Sequence, residues 1–181
     1  MGEREMLKNI AREHYIEAIR MAWPAVLESV FVSLAGIIDT LMVSSMGTYA
    51  VAATGLIIQP KFLSLSFFFA INVAVSALVA RRLGQNNRRN ANQVLVTALV
   101  IVLLLCIVLT VLTVIFADPL IAICGSNVDT HEGAVIYFRV IQIGMIFNVL
   151  SLVINAAQRG AGNTKIAMVT NVTSSIVNII F

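Results

Sequence analysis

Charge is scarce in this chain. Asp, Glu, Lys and Arg together make up 12% of its 181 residues and aromatics only 7%, against about a quarter charged in soluble domains. So small a polar supply excludes a soluble globule, which must cover its surface with polar groups. Three prolines and ten glycines exclude a Pro- or Gly-rich low-complexity chain. Two cysteines, Cys106 and Cys124, exclude a disulfide-knit scaffold. They lie about 18 residues apart, and a largely helical separation of that length puts the sulfurs more than ~20 Å from each other. Neither has the spacing of a metal ligand, so no metal site is expected.

What remains is apolar: 59% of the residues, with a mean hydropathy of +0.94. The apolar residues gather in five stretches, at about 21–46, 51–80, 94–117, 134–157 and 166–181. Each of the first four exceeds the ~20 residues that cross a bilayer at 1.5 Å per residue. The fold class is therefore an all-α integral membrane protein, a polytopic bundle of about five transmembrane helices whose partner is the lipid bilayer. Residues 1–20, where Met6, Ile10, Ile16 and Ile19 alternate with Glu, Lys and Arg, form an amphipathic lead-in to a bundle over 21–181. The fifth stretch is too short to cross, and no charged flank follows it, so the chain reads as part of a longer protein.

The net charge of +3 and pI near 9.2 could suggest nucleic acid, but their distribution assigns them to the membrane instead. Arg4, Lys8, Arg12 and Arg20 precede the first stretch, Arg81, Arg82, Arg88 and Arg89 separate the second and third, and Arg159 and Lys165 separate the fourth and fifth. The alternate connections, 47–50 and 118–133, hold no Lys or Arg. By the positive-inside rule the N-terminus and the basic connections are cytoplasmic, in a multi-pass protein of the cell membrane. A cleavable signal peptide does not fit the long, charged lead-in and full-length first span. Arg139, near the outer end of the fourth stretch, can snorkel and is given no chemistry. The 159–165 connection is Gly-rich but lacks a preceding strand and phosphate-loop spacing, and reads as a turn.

Polar residues inside the stretches fall on helical faces. They are Ser29, Ser33, Gly36 and Asp39 in the first, with Lys61, Ser64, Asn72 and Ser76 more loosely placed in the second. The fourth carries Gly144, Asn148, Ser151 and Asn155, and the fifth Asn171, Ser174, Ser175 and Asn178. Small and amide residues also serve as helix–helix contacts. Three such stripes in one bundle predict a polar cavity lined by spans one, two, four and five, with span three nearer the lipid. Asp39 is the sharpest residue, because a carboxylate about 10 Å below the surface costs roughly 2.5–3.5 kcal/mol. It must face water, pair with a cation or stay protonated, and each suits exchange of H⁺ or Na⁺. Lys61 is the available partner for a static pair. Glu28 shares the Asp39 face but lies near the membrane surface, with at most a secondary role. An enzyme is disfavoured: the spans contain no His, no nucleophile–base pair and no metal constellation.

The chain resembles the multidrug and toxic compound extrusion (MATE) family. The matching features are Pro24-(x)₃-Glu28…Asp39, Ala52-Ala53-Thr54-Gly55, Leu83-Gly84, the Gln158-Arg159-Gly160-Ala161-Gly162-Asn163-Thr164-Lys165 turn, and Asn171…Asn178. The resemblance implies twelve helices in two lobes, of which this chain is most of the first, so a C-terminal lobe is the missing partner. It implies secondary efflux of small organic, often cationic, compounds driven by inward Na⁺ or H⁺, with no cofactor beyond that coupling ion. Asp39 would be the coupling carboxylate and Asn178 its neighbour. Asn155, Asn171, Asn148 and Asn72 would line the substrate cavity, and Pro24 would bend span one. Lys61 matches nothing in the family pattern. The rival readings are a lipid-linked oligosaccharide flippase of the same superfamily, which should carry several cavity cations, and an inactive truncated membrane protein.

Overall fold

The computed structural model describes residues 2–180, and describes side chains at Ile19 and from Ala22 to Ile180. It is helical throughout: α1 Gly2–Ser45, α2 Thr48–Gly84, α3 Arg88–Ile115, α4 Ala117–Ile123, α5 Val128–Gly160 and α6 Thr164–Ile180. Four of these are long and apolar enough to cross a membrane. The 37 residues of α2 reach about 55 Å, well beyond a ~30 Å hydrocarbon layer. Lead-in and first span form one continuous helix. The expected membrane-facing pattern of side chains before Ile19 lies outside the described residues.

Tight turns set the order. Gly47, at φ +100°, closes the α1–α2 hairpin in a conformation that β-carbons disfavour, and Gly162, at φ +80°, does so between α5 and α6. Asn87 starts α3 by accepting the Asn90 backbone N–H at 3.1 Å. The Thr130 hydroxyl accepts from the backbone N–H of Asn127 at 3.2 Å and starts α5. Residues 81–87 thus belong to the end of α2 and a short turn. The connections α2–α3 and α5–α6 lie at one end of the bundle, here called the basic end, and α1–α2 and α3–α5 lie at the far end.

At the far end the sequence reading expects a loop over 118–133, and the structure inserts α4. Asp118 and Pro119 in its first turn suit a helix start. Ala117 and Ile121, fully buried, pack it into a cluster with Ile57, Ala134 and Phe138.

The packing is centred on α2 and α5. Phe68, Val75 and Val79 of α2 meet Val102 and Cys106 of α3 and Val149 and Val153 of α5 in a single core. Burial of such side chains contributes about 1.5–3 kcal/mol each in water, but between lipid-solvated helices the gain comes from close packing. Backbones approach closely at Gly160, where an added Cβ would collide with the Ser76 backbone carbonyl of α2. Among the described residues α3 contacts α2, α4 and α5 but neither α1 nor α6, while α1 packs chiefly on α6. Only Pro24 and Ala35 are buried in the described part of α1. The α1/α6 pair therefore stands apart from the α2/α3/α5 group, joined through the α1–α2 hairpin and the α5–α6 contact.

Candidate functional site: the cleft between two helix groups

Gly144, Asn148, Ser151 and Asn155 recur at intervals of four, three and four along α5, so they share one face. That face is turned to α6, because Asn155 Nδ2 donates to Asn171 Oδ1 at 2.9 Å. Asn171 Nδ2 in turn donates to Glu28 Oε1 of α1 at 2.6 Å. Arg159 Nη1, in the last turn of α5, reaches the same oxygen at 3.4 Å. Three helices are clamped at the basic end by one carboxylate whose side chain is only 13% exposed.

Glu28 is the residue that sequence reasoning undervalued. Its distance from the membrane surface suggested an interfacial acid. Its partners, Asn171 and Arg159, lie more than 130 positions away along the chain, and no local pattern announces them. Hydrogen bonding from an amide and a guanidinium commits Glu28 Oε1 to the protein, which makes this group a clamp.

Asp39 is different. α1 and α6 pack with Glu28 level with Asn171 and run parallel, so Asn178 stands level with Ala35, about one turn (~6 Å) on the Glu28 side of Asp39. Glu28, Ala35 and Asp39 lie on the α1 face directed at α6. Asp39 and Asn178 are both exposed, and Asp39 has no hydrogen bond or ion pair among the described residues. The static Asp39–Lys61 pair left open by the sequence is absent: the ion pairs among the described residues are His131–Asp118, Arg139–Asp118 and Arg159–Glu28. The α1 and α2 helices diverge beyond their hairpin, which separates the two charges.

Of the other expected cavity residues, Asn148 and Lys61 line a cavity of about 270 Å³ between α2 and α5, with Leu65, Ile141, Gly144 and Met145. Asn72 is half-buried, and its Oδ1 is enclosed without a partner. Pro24 is buried inside α1, and the helix runs through it, although its ring removes the N–H that would reach the carbonyl of residue 20.

Two further polar groups make contacts that the sequence does not announce. Gln142, 1% exposed, donates from Nε2 to Thr113 Oγ1 at 2.7 Å and Ser64 Oγ at 3.3 Å, tying α5 to α3 and α2. Arg139 Nη2 pairs with Asp118 Oδ2 at 2.6 Å, and Asp118 Oδ1 lies 3.8 Å from His131 Nε2. Arg139 thus anchors α4 to α5 at the far end. Both are structural contacts away from the cleft.

Comparison with known proteins places this arrangement. The chain is 28% identical over 158 residues to the probable multidrug resistance protein NorM of Thermotoga maritima, covering 84% of this chain and 33% of that one. It is 28% identical over 142 residues to the FAD transporter of Shewanella oneidensis, covering 78% and 31%. The outward-facing structure of a multidrug resistance MATE family transporter of the MOP superfamily matches with a TM-score of 0.83 at 29% identity, covering 91% of this chain and 36% of that one. The chain therefore spans about a third of the length of these relatives. The MatE family model matches residues 24–181, and with four membrane-crossing helices in place this chain is a multi-pass membrane protein that belongs to the MatE family of transporters.

Proposed function

We propose that this chain supplies the first lobe of a secondary active exporter that moves small organic, often cationic, compounds out of the cell against an inward flow of Na⁺ or H⁺. The observation that carries the reading is Asp39: within the apolar part of α1 it is the acid left without a protein partner among the described residues, while Glu28 is committed to its clamp. A bare carboxylate at this depth is costly, and a bound cation offsets that cost. Asn178, one turn away along the parallel α6, would add an amide oxygen. One cation crossing 100 mV supplies about 2.3 kcal/mol, enough to bias two conformations that differ by a few kcal/mol.

The clamp fits the same scheme. It closes α1 and α6 against α5 at the basic end, and the basic end is cytoplasmic by its arginines in a plasma-membrane protein. The cleft is then open to the outside, and a second lobe from the rest of the transporter would form its other wall. Pro24 serves as the bend of α1 as the lobe changes state. The relatives' names run from multidrug resistance to FAD transport, so substrate chemistry is read from this chain's own cleft.

The test is efflux of a fluorescent organic cation by the complete transporter, with Asp39→Asn beside the unaltered protein at equal membrane abundance. Asp39→Asn is expected to abolish gradient-driven efflux. Undiminished efflux under the same ion gradient would mean that Asp39 is structural.

A further inference from the structure

We infer that Lys61 and Asn148 form a subsite for a carboxylate group on the exported compound. The inference rests on the transport reading and adds to it the class of substrate: organic compounds that carry a carboxylate beside any cationic group.

Lys61 follows Pro60 in α2, about 20 Å along the helix from its start at Thr48, where water is scarce. It is half-buried, yet its ammonium makes no hydrogen bond or ion pair among the described residues. A cation held at this depth without a counter-ion is costly. The acids within reach of a static pair are excluded: Glu28 is held by Arg159 and Asn171, and Asp39 lies apart on α1. An incoming anion supplies the missing counter-charge.

The surroundings are built to admit one. Lys61 opens on a cavity of about 270 Å³. Across it, on α5, stand Gly144 and the exposed Asn148. A Cβ added at Gly144 would meet nothing within 4 Å, so the glycine leaves the floor of the cavity free. Ligand pockets for whole drug-sized molecules run to about 300–1,000 Å³, so this cavity takes one end of a molecule. Leu65, Ile141 and Met145 provide apolar walls beside the charge. The Asn148 amide can donate a second hydrogen bond. One ammonium matches a singly charged carboxylate, whereas a doubly charged phosphate would leave a charge uncompensated. The cavity also lies on the α5 face that carries Asn155, and its lining comes from α2 and α5.

A carboxyl-bearing rhodamine and its methyl ester, which differ only in this anionic group, provide the test. Binding is read by fluorescence polarisation on the complete transporter in phosphatidylcholine nanodiscs, and efflux of both dyes is measured in parallel. The unaltered protein should bind the acid about tenfold tighter than the ester, the scale of one charge-assisted hydrogen bond. Lys61→Met should erase that preference without weakening ester binding, and Lys61→Arg should retain it. If Lys61→Met does not fold, Gly144→Val, which fills the cavity without touching the charge, should erase it instead. Equal binding of acid and ester by the unaltered protein overturns the subsite, as does a preference that survives Lys61→Met or, where that variant does not fold, Gly144→Val. A Lys61-dependent preference with no efflux of either dye upholds the subsite and refutes the transport reading instead.

Discussion

Single residues in this bundle are read by asking what each polar atom meets. Gln142 gives the clearest case. Its amide nitrogen is shared between Thr113 and Ser64, but its Oε1 is buried without a partner. Hydrogen bonds between membrane helices average only about 0.6 kcal/mol, whereas a buried unpaired acceptor costs about 1–3 kcal/mol. Gln142→Leu, similar in volume, removes both terms and is expected to change stability by less than about 1 kcal/mol. Gln142→Ala leaves a void as well and should destabilise by about 2 kcal/mol or more. Thermal unfolding of the two variants in one detergent checks the order, and equal losses would show that the hydrogen bonds dominate.

Among elements, the seam between α2 and α5 carries the structure, and Gly160 marks a close backbone approach within it. Gly160→Ala cannot be absorbed by a side-chain rotation, because the obstacle is the Ser76 backbone carbonyl. The helices must separate, which loosens the shared core of α2, α3 and α5 and disturbs the neighbouring Arg159. A loss of about 1–3 kcal/mol follows, the range for overpacked interiors. Gly144→Ala, on the same helix but facing open space, should be neutral or slightly stabilising, since alanine favours helix by about 1 kcal/mol. Melting temperatures of the two glycine variants should therefore move in opposite directions or differ clearly in size. The α1 clamp makes a similar claim. Glu28→Ala leaves Asn171 and Arg159 without their acceptor and should cost about 1 kcal/mol, discounted because Arg159 is 39% exposed.

At the scale of the whole molecule, orientation is the open property with the simplest measurement. Cys106 is buried, whereas Cys124 is half-buried at the far end. Val128, 97% exposed, starts α5 beside it. In a Cys124→Ser background, Val128→Cys is expected to react with a membrane-impermeant maleimide added to intact cells. A cysteine at Arg89, in the first turn of α3 at the basic end, should react only after the membrane is opened. Labelling at position 89 from outside would invert the proposed topology and place the clamp on the outer side.

Spacing along the chain was enough to find the helices, because a membrane solvent demands about 20 apolar residues per crossing and punishes every interruption. The alternation of arginine-rich and arginine-free connections and the α5 polar face were legible in the same one-dimensional order of residues. The short α4 was hidden because seven residues give too little periodicity to separate a helix from a loop. The partners of the charges were not legible. Glu28 and Asp39 are both acids on one face of α1, and their difference lies in Arg159 and Asn171, which only the docking of α5 and α6 brings to Glu28. Lys61 stays without a protein counter-ion because α1 and α2 part beyond their hairpin. Sequence determines where polar groups sit along each helix, but which of them are satisfied and which are left free depends on how the helices meet, since hydrogen bonds and ion pairs act over a few ångströms between segments far apart in the chain.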